Sequence, residues 1–274
     1  MAKRKLMNYI FTEKDNNLYK VEQSLKMQEK SVKQYSKTLN TVKITTNEVF
    51  WPSNISDTAL PWLHHEIFDS FENNPSSYNH PCMEIDKVDW IIDAGCCEGY
   101  FPLFAFQKNS NCKVIAFEPL IEMEEALVNT FSKELKSKNM ILINKALGKE
   151  TGKLKFFSGD THLCDSKICL DTQKNDHSYD VEVTTIDLVS KQQNITKNGM
   201  IKMDIEGAEM DALSGATQLL KTYKPKLAIA VYHEYENATL CREIILKANP
   251  SYNIEFRGEY CYFEPPRPYM LFAW

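Results

Sequence analysis

The chain has 274 residues, 43% of them hydrophobic and 25% charged, with 9 Gly and 11 Pro, a composition that excludes disordered, collagen-like and low-complexity classes. Its net charge of −5 comes without a basic block in the body of the chain, so the counterion-release term behind general nucleic-acid binding has no source. The longest apolar runs, such as 227–232, fall far short of the roughly 20 residues of a membrane span, and no apolar signal core follows the basic start.

A cytoplasmic protein with neither a nucleic-acid partner nor a membrane span is therefore expected. The eight cysteines (82, 96, 97, 112, 164, 169, 241 and 261) show no Cys-x-x-Cys and no zinc-like pairing, so reduced thiols are expected. The Asn-x-Ser/Thr triplets at Asn54, Asn194 and Asn237 then carry no glycosylation meaning. Residues 1–50 hold ten Lys/Arg against five Asp/Glu, whereas the remainder is acidic, which hints at two parts.

In chain order, Leu18, Val21, Leu25, Gln28, Val32, Tyr35 and Leu39 recur at spacings of three and four. This predicts a helix over 18–39 with one apolar seam, which either packs on its own domain or pairs with a second copy in a homodimer. Turn-rich segments around Trp51-Pro52, Leu60-Pro61 and Asn74-Pro75 flank a short helical stretch over 63–72. Residues 1–80 thus read as a helical extension and connector, and 81–274 as the main domain.

From Val88 the pattern alternates: strand 88–94, helix 100–107, strand 113–117, helix 121–136, strand 140–144. Runs 153–157 and 181–188 suggest an inserted hairpin around a long polar loop. The alternation resumes with strand 200–205, helix 208–221, strand 226–232, helix 240–248 and two closing strands, 252–259 and 269–274. Strands separated by helices imply a parallel sheet with right-handed crossovers, and the helix-free closing pair implies an antiparallel edge.

Asp93-Ala94-Gly95-Cys96-Cys97-Glu98-Gly99 occupies the first strand-to-helix turn, where an open parallel sheet receives a nucleotide-like ligand. Its spacing differs from Gly-x-Gly-x-x-Gly, and its charge decides between ligands. Pyrophosphate needs bare backbone amides, whereas Asp93 and Glu98 repel phosphate and suit a cationic group such as the ammonium and sulfonium of S-adenosylmethionine. Nineteen residues beyond Gly99, Glu118 ends the second strand, where a carboxylate can accept ribose hydroxyls.

Asp93-Ala-Gly-Cys-Cys-Glu-Gly-Tyr, Ala116-Phe-Glu118-Pro, Ala146-Leu-Gly148, Val183-Thr-Thr-Ile-Asp187 and Ile201-Lys-Met-Asp-Ile-Glu-Gly-Ala-Glu209 together resemble the FkbM family of S-adenosylmethionine-dependent methyltransferases. The resemblance spans roughly 90–232. It implies an α/β class I methyltransferase (Rossmann-like) fold, with a seven-stranded, mostly parallel sheet and an antiparallel C-terminal strand. It also implies Asp93, Gly95, Cys96 and Gly99 around the methionine end of the cofactor, Glu118 on its ribose, and Pro119 and Ala146 beside its adenine.

Methyl transfer to a hydroxyl needs alignment of the acceptor oxygen with the sulfonium and a group to take its proton. Asp204 and Glu206, at the end of the fourth strand, and His233 and Glu234, at the end of the fifth, should face the methyl group. His233 is the expected general base, with Asp204 or Glu206 orienting it or binding the acceptor. Lys202, in a central strand, must be paired, and Asp93, Asp204 and Glu206 are the available partners. The acids and His233 also suit a divalent cation, but no recognisable ligand triplet appears in the sequence and no metal is expected.

Tyr78, His64, His65 and His80, together with the 162–177 loop, are candidates for the acceptor wall. The expected reaction is O-methylation of a glycan, glycolipid or other carbohydrate-containing metabolite. The alternatives are methylation of a non-sugar small molecule at oxygen or nitrogen, or a non-catalytic binding protein on the same fold. An NAD-linked oxidoreductase would need phosphate-binding glycines that this loop lacks.

Overall fold

A computed structural model describes residues 28–157, 167–168, 178–260 and 266–274. Its centre is a seven-stranded sheet in the order β13-β14-β12-β11-β4-β5-β6. The strands are β4 (Trp90–Ala94), β5 (Lys113–Phe117), β6 (Met140–Ile143), β11 (Gly199–Met203), β12 (Lys226–Ala230), β13 (Ile254–Tyr260) and β14 (Arg267–Ala273). β14 runs antiparallel to both of its neighbours, while β4, β5, β6, β11 and β12 pair in parallel. All five residues of β4 and of β11 are buried, as expected for parallel strands covered on both faces.

Alternation along each strand divides the core. Ile91, Val114, Met200 and Phe272 point to one face, and Ile92, Ile115, Ile201 and Leu271 to the other. The helices between strands are α2 (Tyr100–Lys108), α3 (Ile121–Thr130), α4 (Ser132–Ser137), α6 (Glu209–Ser214), α7 (Thr217–Tyr223) and α8 (Asn237–Ala248). The single helices expected over 121–136 and 208–221 are each broken in two, at Phe131 and at Gly215-Ala216.

The inserted hairpin is present as β8 (Gly152–Phe157) against β10 (Ser178–Thr184), in a second sheet of order β7-β10-β8-β9 with β7 (Ala146–Leu147) and β9 (Lys167–Ile168). The run expected to continue as strand to 188 stops at Thr184. Thr185 accepts the Leu188 N–H at 3.1 Å and starts α5 (Ile186–Gln192), so an N-cap overrides the β-branched run.

The N-terminal region differs most from expectation. Residues 18–27 of the predicted helix lie outside the described residues, and the rest is not helical. Residues 30–52 form an antiparallel sheet of β1 (Lys30–Gln34), β2 (Leu39–Ile44) and β3 (Asn47–Pro52). Val32 and Tyr35, placed in the seam by spacing, are 45% and 61% exposed, while Leu39, Val42 and Ile44 are buried. The sequence over 38–45, rich in β-branched residues (Thr38, Thr41, Val42, Ile44 and Thr45), loses less side-chain freedom in a strand than in a helix.

This sheet packs on α3, where the Phe50 N–H donates to Thr130 Oγ1 at 3.0 Å, and its buried residues join the same apolar cluster as α1 (Leu60–Phe68) and the central sheet. It is thus built into the main core and does not form a helical arm. No helix among the described residues is long and apolar enough to cross a membrane.

Candidate active site

The turn after β4 is shaped by close packing. Gly95 has φ +79°, and a Cβ there would lie 1.9 Å from the carbonyl oxygen of Asp204. Gly99 has φ +86°, and its Cβ would meet the Phe131 ring at 2.6 Å. Only glycine satisfies both the left-handed backbone and the contact at these positions. The loop therefore lies directly against the end of β11.

Two buried charges hold this junction. The β4–β11 register sets Lys202 opposite Asp93, and Lys202 Nζ lies 3.2 Å from Asp93 Oδ1 and donates to Gly95 O at 2.6 Å. Burial raises the Asp93 pKa, opposed by Lys202. Lys202 thus has the partner that its central position requires, while Asp93 Oδ2 has no hydrogen-bond partner among the described residues.

Glu118, 4% exposed at the end of β5, is anchored by backbone amides: the Cys97 N–H donates to Oε2 at 2.8 Å and the Leu120 N–H to Oε1 at 3.0 Å. Burial raises its pKa to about 7, against the effect of these amides and of Lys202. A cavity of about 690 Å³, counting its open mouth, runs along this acid. Of the expected cofactor residues, Gly95, Glu118, Pro119 and Ala146 line the cavity. Asp93, Cys96 and Gly99 do not; Cys96 is 2% exposed, and its neighbour Cys97 lines the cavity.

Asp204 and Glu206 line the same cavity. Asp204 is fixed from two sides: its N–H donates to Ala94 O at 3.0 Å, and its Oδ2 accepts from the Tyr78 hydroxyl at 2.7 Å. Glu206 and Gly207 take φ +55° and +100° in a tight turn. Fully buried Glu209 braces that turn, with Oε1 accepting the Ile205 and Gly207 N–H groups at 3.1 and 3.2 Å and Oε2 accepting from Asn237 Nδ2 at 3.0 Å.

His233 meets this group from the end of β12. Its Nδ1 lies 3.2 Å from Glu209 Oε1, and its Nε2 lies 3.3 Å from Asp204 Oδ1 and 3.5 Å from Glu206 Oε2. Burial alone would lower the His233 pKa, but contact with Glu209, and then the charges of Asp204 and Glu206, raises it to about 9. The imidazole does not line the cavity. On both counts His233 differs from the free base expected from the ordinary histidine pKa.

Glu234 is exposed and outside the cluster. Glu209 takes the place next to His233; it closes the Lys-x-Asp-x-Glu-Gly-x-Glu block, and its full burial in the first turn of α6 marks it only once the fold is known. Of the acceptor-wall candidates before β4, only Tyr78 reaches the site. His64 pairs with Asn47 at 2.9 Å with its pKa lowered to about 4 by burial, His65 is 3% exposed, and His80 stacks on Phe272 at 4.6 Å. The loop expected to contribute over 162–177 lies almost wholly outside the described residues.

Behind Tyr78, buried Glu66 accepts from Trp62 Nε1 and from the Tyr269 hydroxyl, each at 2.6 Å. Burial raises its pKa to about 8.

An open parallel sheet with this glycine turn, an acid at the end of the second strand and carboxylates around the cavity defines the class I methyltransferases. The donors suit a cationic group and not a pyrophosphate. A family model described as the methyltransferase FkbM domain matches residues 93–251, more than half of the chain, and the chain belongs to that family, whose cofactor is S-adenosylmethionine.

Among solved structures, an FkbM methyltransferase from Methylobacillus flagellatus is similar at 22% identity and TM-score 0.51, over 69% of this chain and 43% of that one. The chain thus spans less than half the length of that relative. A S-adenosylmethionine-dependent O-methyltransferase from Thermotoga maritima matches at 12% identity and TM-score 0.42, over 89% of this chain and 84% of that one. Spermidine synthase from the same organism matches at 12% and 0.43, over 89% and 71%. No curated protein matches the chain.

Proposed function

We propose that this chain transfers a methyl group from S-adenosylmethionine to a hydroxyl of a glycan, glycolipid or other carbohydrate-containing metabolite. The observation that carries the reading is the shared cavity: amide-anchored Glu118 and the glycine turn form one wall, and Asp204 with Glu206 forms the other.

When bound, S-adenosylmethionine would supply an activated methyl group on its sulfonium. Glu118 would hold the ribose hydroxyls and Pro119 and Ala146 would flank the adenine, while Gly95 lets the turn lie against the Asp204 carbonyl. Asp93, fully buried and paired with Lys202, would support the methionine end from behind the turn, through the Gly95 carbonyl that Lys202 holds. Cys96 and Gly99 act from behind by keeping the turn in shape.

Asp204 and Glu206 orient the acceptor hydroxyl in line with the methyl group and take up the proton it loses. His233 and Tyr78 are positioning residues that hold the Asp204 carboxylate from opposite sides. The carbohydrate acceptor is what the family resemblance implies; next to His233, the half-buried Tyr232 ring is itself packed against Tyr260 at 4.6 Å and the imidazole at 4.2 Å.

Calorimetry with S-adenosylhomocysteine, paired with labelled methyl transfer to a panel of oligosaccharides and sugar nucleotides, tests the reading. Asp204→Asn should bind the product as the wild type does and lose at least ~100-fold in turnover. Unchanged turnover would remove Asp204 from the chemistry, and transfer to non-carbohydrate acceptors alone would overturn the acceptor class.

A further inference from the structure

The acids and the histidine do more than pair with one another. One donor atom from each of Asp204, Glu206 and His233 can be chosen so that all three lie within 4.8 Å of each other. His233 Nε2 stands 3.3 and 3.5 Å from the two carboxylates. Ligand atoms held at about 2.0–2.2 Å from one cation lie roughly 3.0–3.5 Å apart at tetrahedral or octahedral angles, so both imidazole–carboxylate spacings fall in the range of a coordination shell.

We propose that Asp204 Oδ1, Glu206 Oε2 and His233 Nε2 form a binding site for one divalent first-row transition cation of the manganese(II) or zinc(II) kind.

Three further features point the same way. The His233 side chain is only 8% exposed, and its Nε2, aimed between the two carboxylates, makes no hydrogen bond among the described residues. Its other nitrogen faces Glu209, a carboxylate held by three hydrogen bonds, which reproduces the carboxylate–histidine–metal arrangement that fixes ring orientation and strengthens the ligand. Tyr78 occupies Asp204 Oδ2, leaving Oδ1, which likewise has no hydrogen bond among the described residues, to face the imidazole.

The donor chemistry selects the ion. An imidazole between two carboxylates is softer than the all-oxygen shells of calcium and magnesium and suits manganese or zinc. Three protein ligands leave positions open, and Asp204 and Glu206 line the cavity, so the open side faces the acceptor. A hydroxyl on such a position loses its proton more readily. What the cation does depends on the methyl-transfer reading; whether it binds does not.

The test is manganese(II) titration of the full chain after chelator treatment, without cofactor or acceptor, followed by electron paramagnetic resonance. One Mn2+ should bind per chain, and Zn2+ should displace it. His233→Ala and Glu206→Gln should each weaken binding at least tenfold. Glu209→Gln, which leaves every ligand in place, should weaken it about tenfold through loss of ring orientation.

No binding by the wild type at millimolar Mn2+, or equal affinity in wild type and the two ligand variants, would overturn the site. Full methyl transfer by chelator-treated protein that binds no Mn2+ would overturn the cation while leaving the transferase reading intact. Tight Mn2+ binding in a chain that does not bind S-adenosylhomocysteine would keep the cation site and sink the transferase reading.

Discussion

The two walls of the cavity are built by different physics. On the cofactor side, residues 93–99 and 118–119 get their shape from the backbone: left-handed glycines, amides bonded to Glu118, and carbonyl contacts of the turn. On the transfer side, Tyr78, Asp204, Glu206, Glu209 and His233 arrive from separate elements and are held by charge and side-chain hydrogen bonds. A backbone-built wall is contiguous in sequence and keeps its form without ligand, whereas a charge-built wall depends on every partner being present and on its protonation. The walls meet at Lys202, which reaches both Asp93 and the Gly95 carbonyl.

Removing that joint should have the largest effect. Lys202→Ala leaves Asp93 buried without its countercharge and should destabilise the fold by about 3–5 kcal/mol in urea titration. The double change with Asp93→Asn should recover part of the loss. A loss below about 1 kcal/mol, or strict additivity of the pair, would show that the walls are not coupled through this ion pair.

Gly95→Ala probes the same contact from the backbone. The left-handed φ and the 1.9 Å approach to the Asp204 carbonyl predict a cost of about 2–4 kcal/mol. It should also reduce both S-adenosylhomocysteine binding and turnover, because the displaced atom belongs to the transfer wall. Loss of binding alone, measured by calorimetry and initial rates, would mean that the two sides are independent.

The smallest effect concerns the charge-built side. Glu66 has its folded pKa raised to about 8, from an ordinary value of 4.5, by burial beside the Tyr269 and Trp62 donors, with Asp204 and Glu98 the acids that face it. Between those two values the native chain holds a proton that the unfolded chain releases. The stabilisation attached to that proton is complete below about pH 4.5 and is lost as pH rises through 8. Relative to the wild type, Glu66→Gln should remove on the order of 2 kcal/mol of this decline between pH 5 and 8 in denaturant midpoints. Parallel pH curves for the two proteins would place Glu66 outside the titrating network.

The same contrast governs what could be read from the chain in advance. The sheet was legible because β4, β5, β11 and β12 are short apolar runs separated by helices, and the glycine turn because its residues are consecutive. The N-terminal sheet was not, because Val32, Tyr35 and Leu39 satisfy a helical period by spacing alone, and only the pairing of β2 with β1 and β3 and the packing on α3 show that two of the three are exposed. The break at Thr185 needed its hydroxyl to be recognised as a cap and not as one more β-branched strand residue.

In the transfer wall, Asp204, Glu206 and His233 were visible as strand-end residues, and Lys202 as a lysine in need of a partner. The role of His233 was not visible. An imidazole's proton depends on neighbours 24 to 29 positions away in sequence and about 3 Å away in space. By itself the sequence determined the sheet, the acidic glycine turn and the family, because these rest on local order and hydrophobic period. Only the tertiary structure decided that Glu209 faces His233, that Tyr78 braces Asp204, and that three ligand atoms converge. Electrostatic energies depend on distance and burial, and neither is set until the strands are side by side.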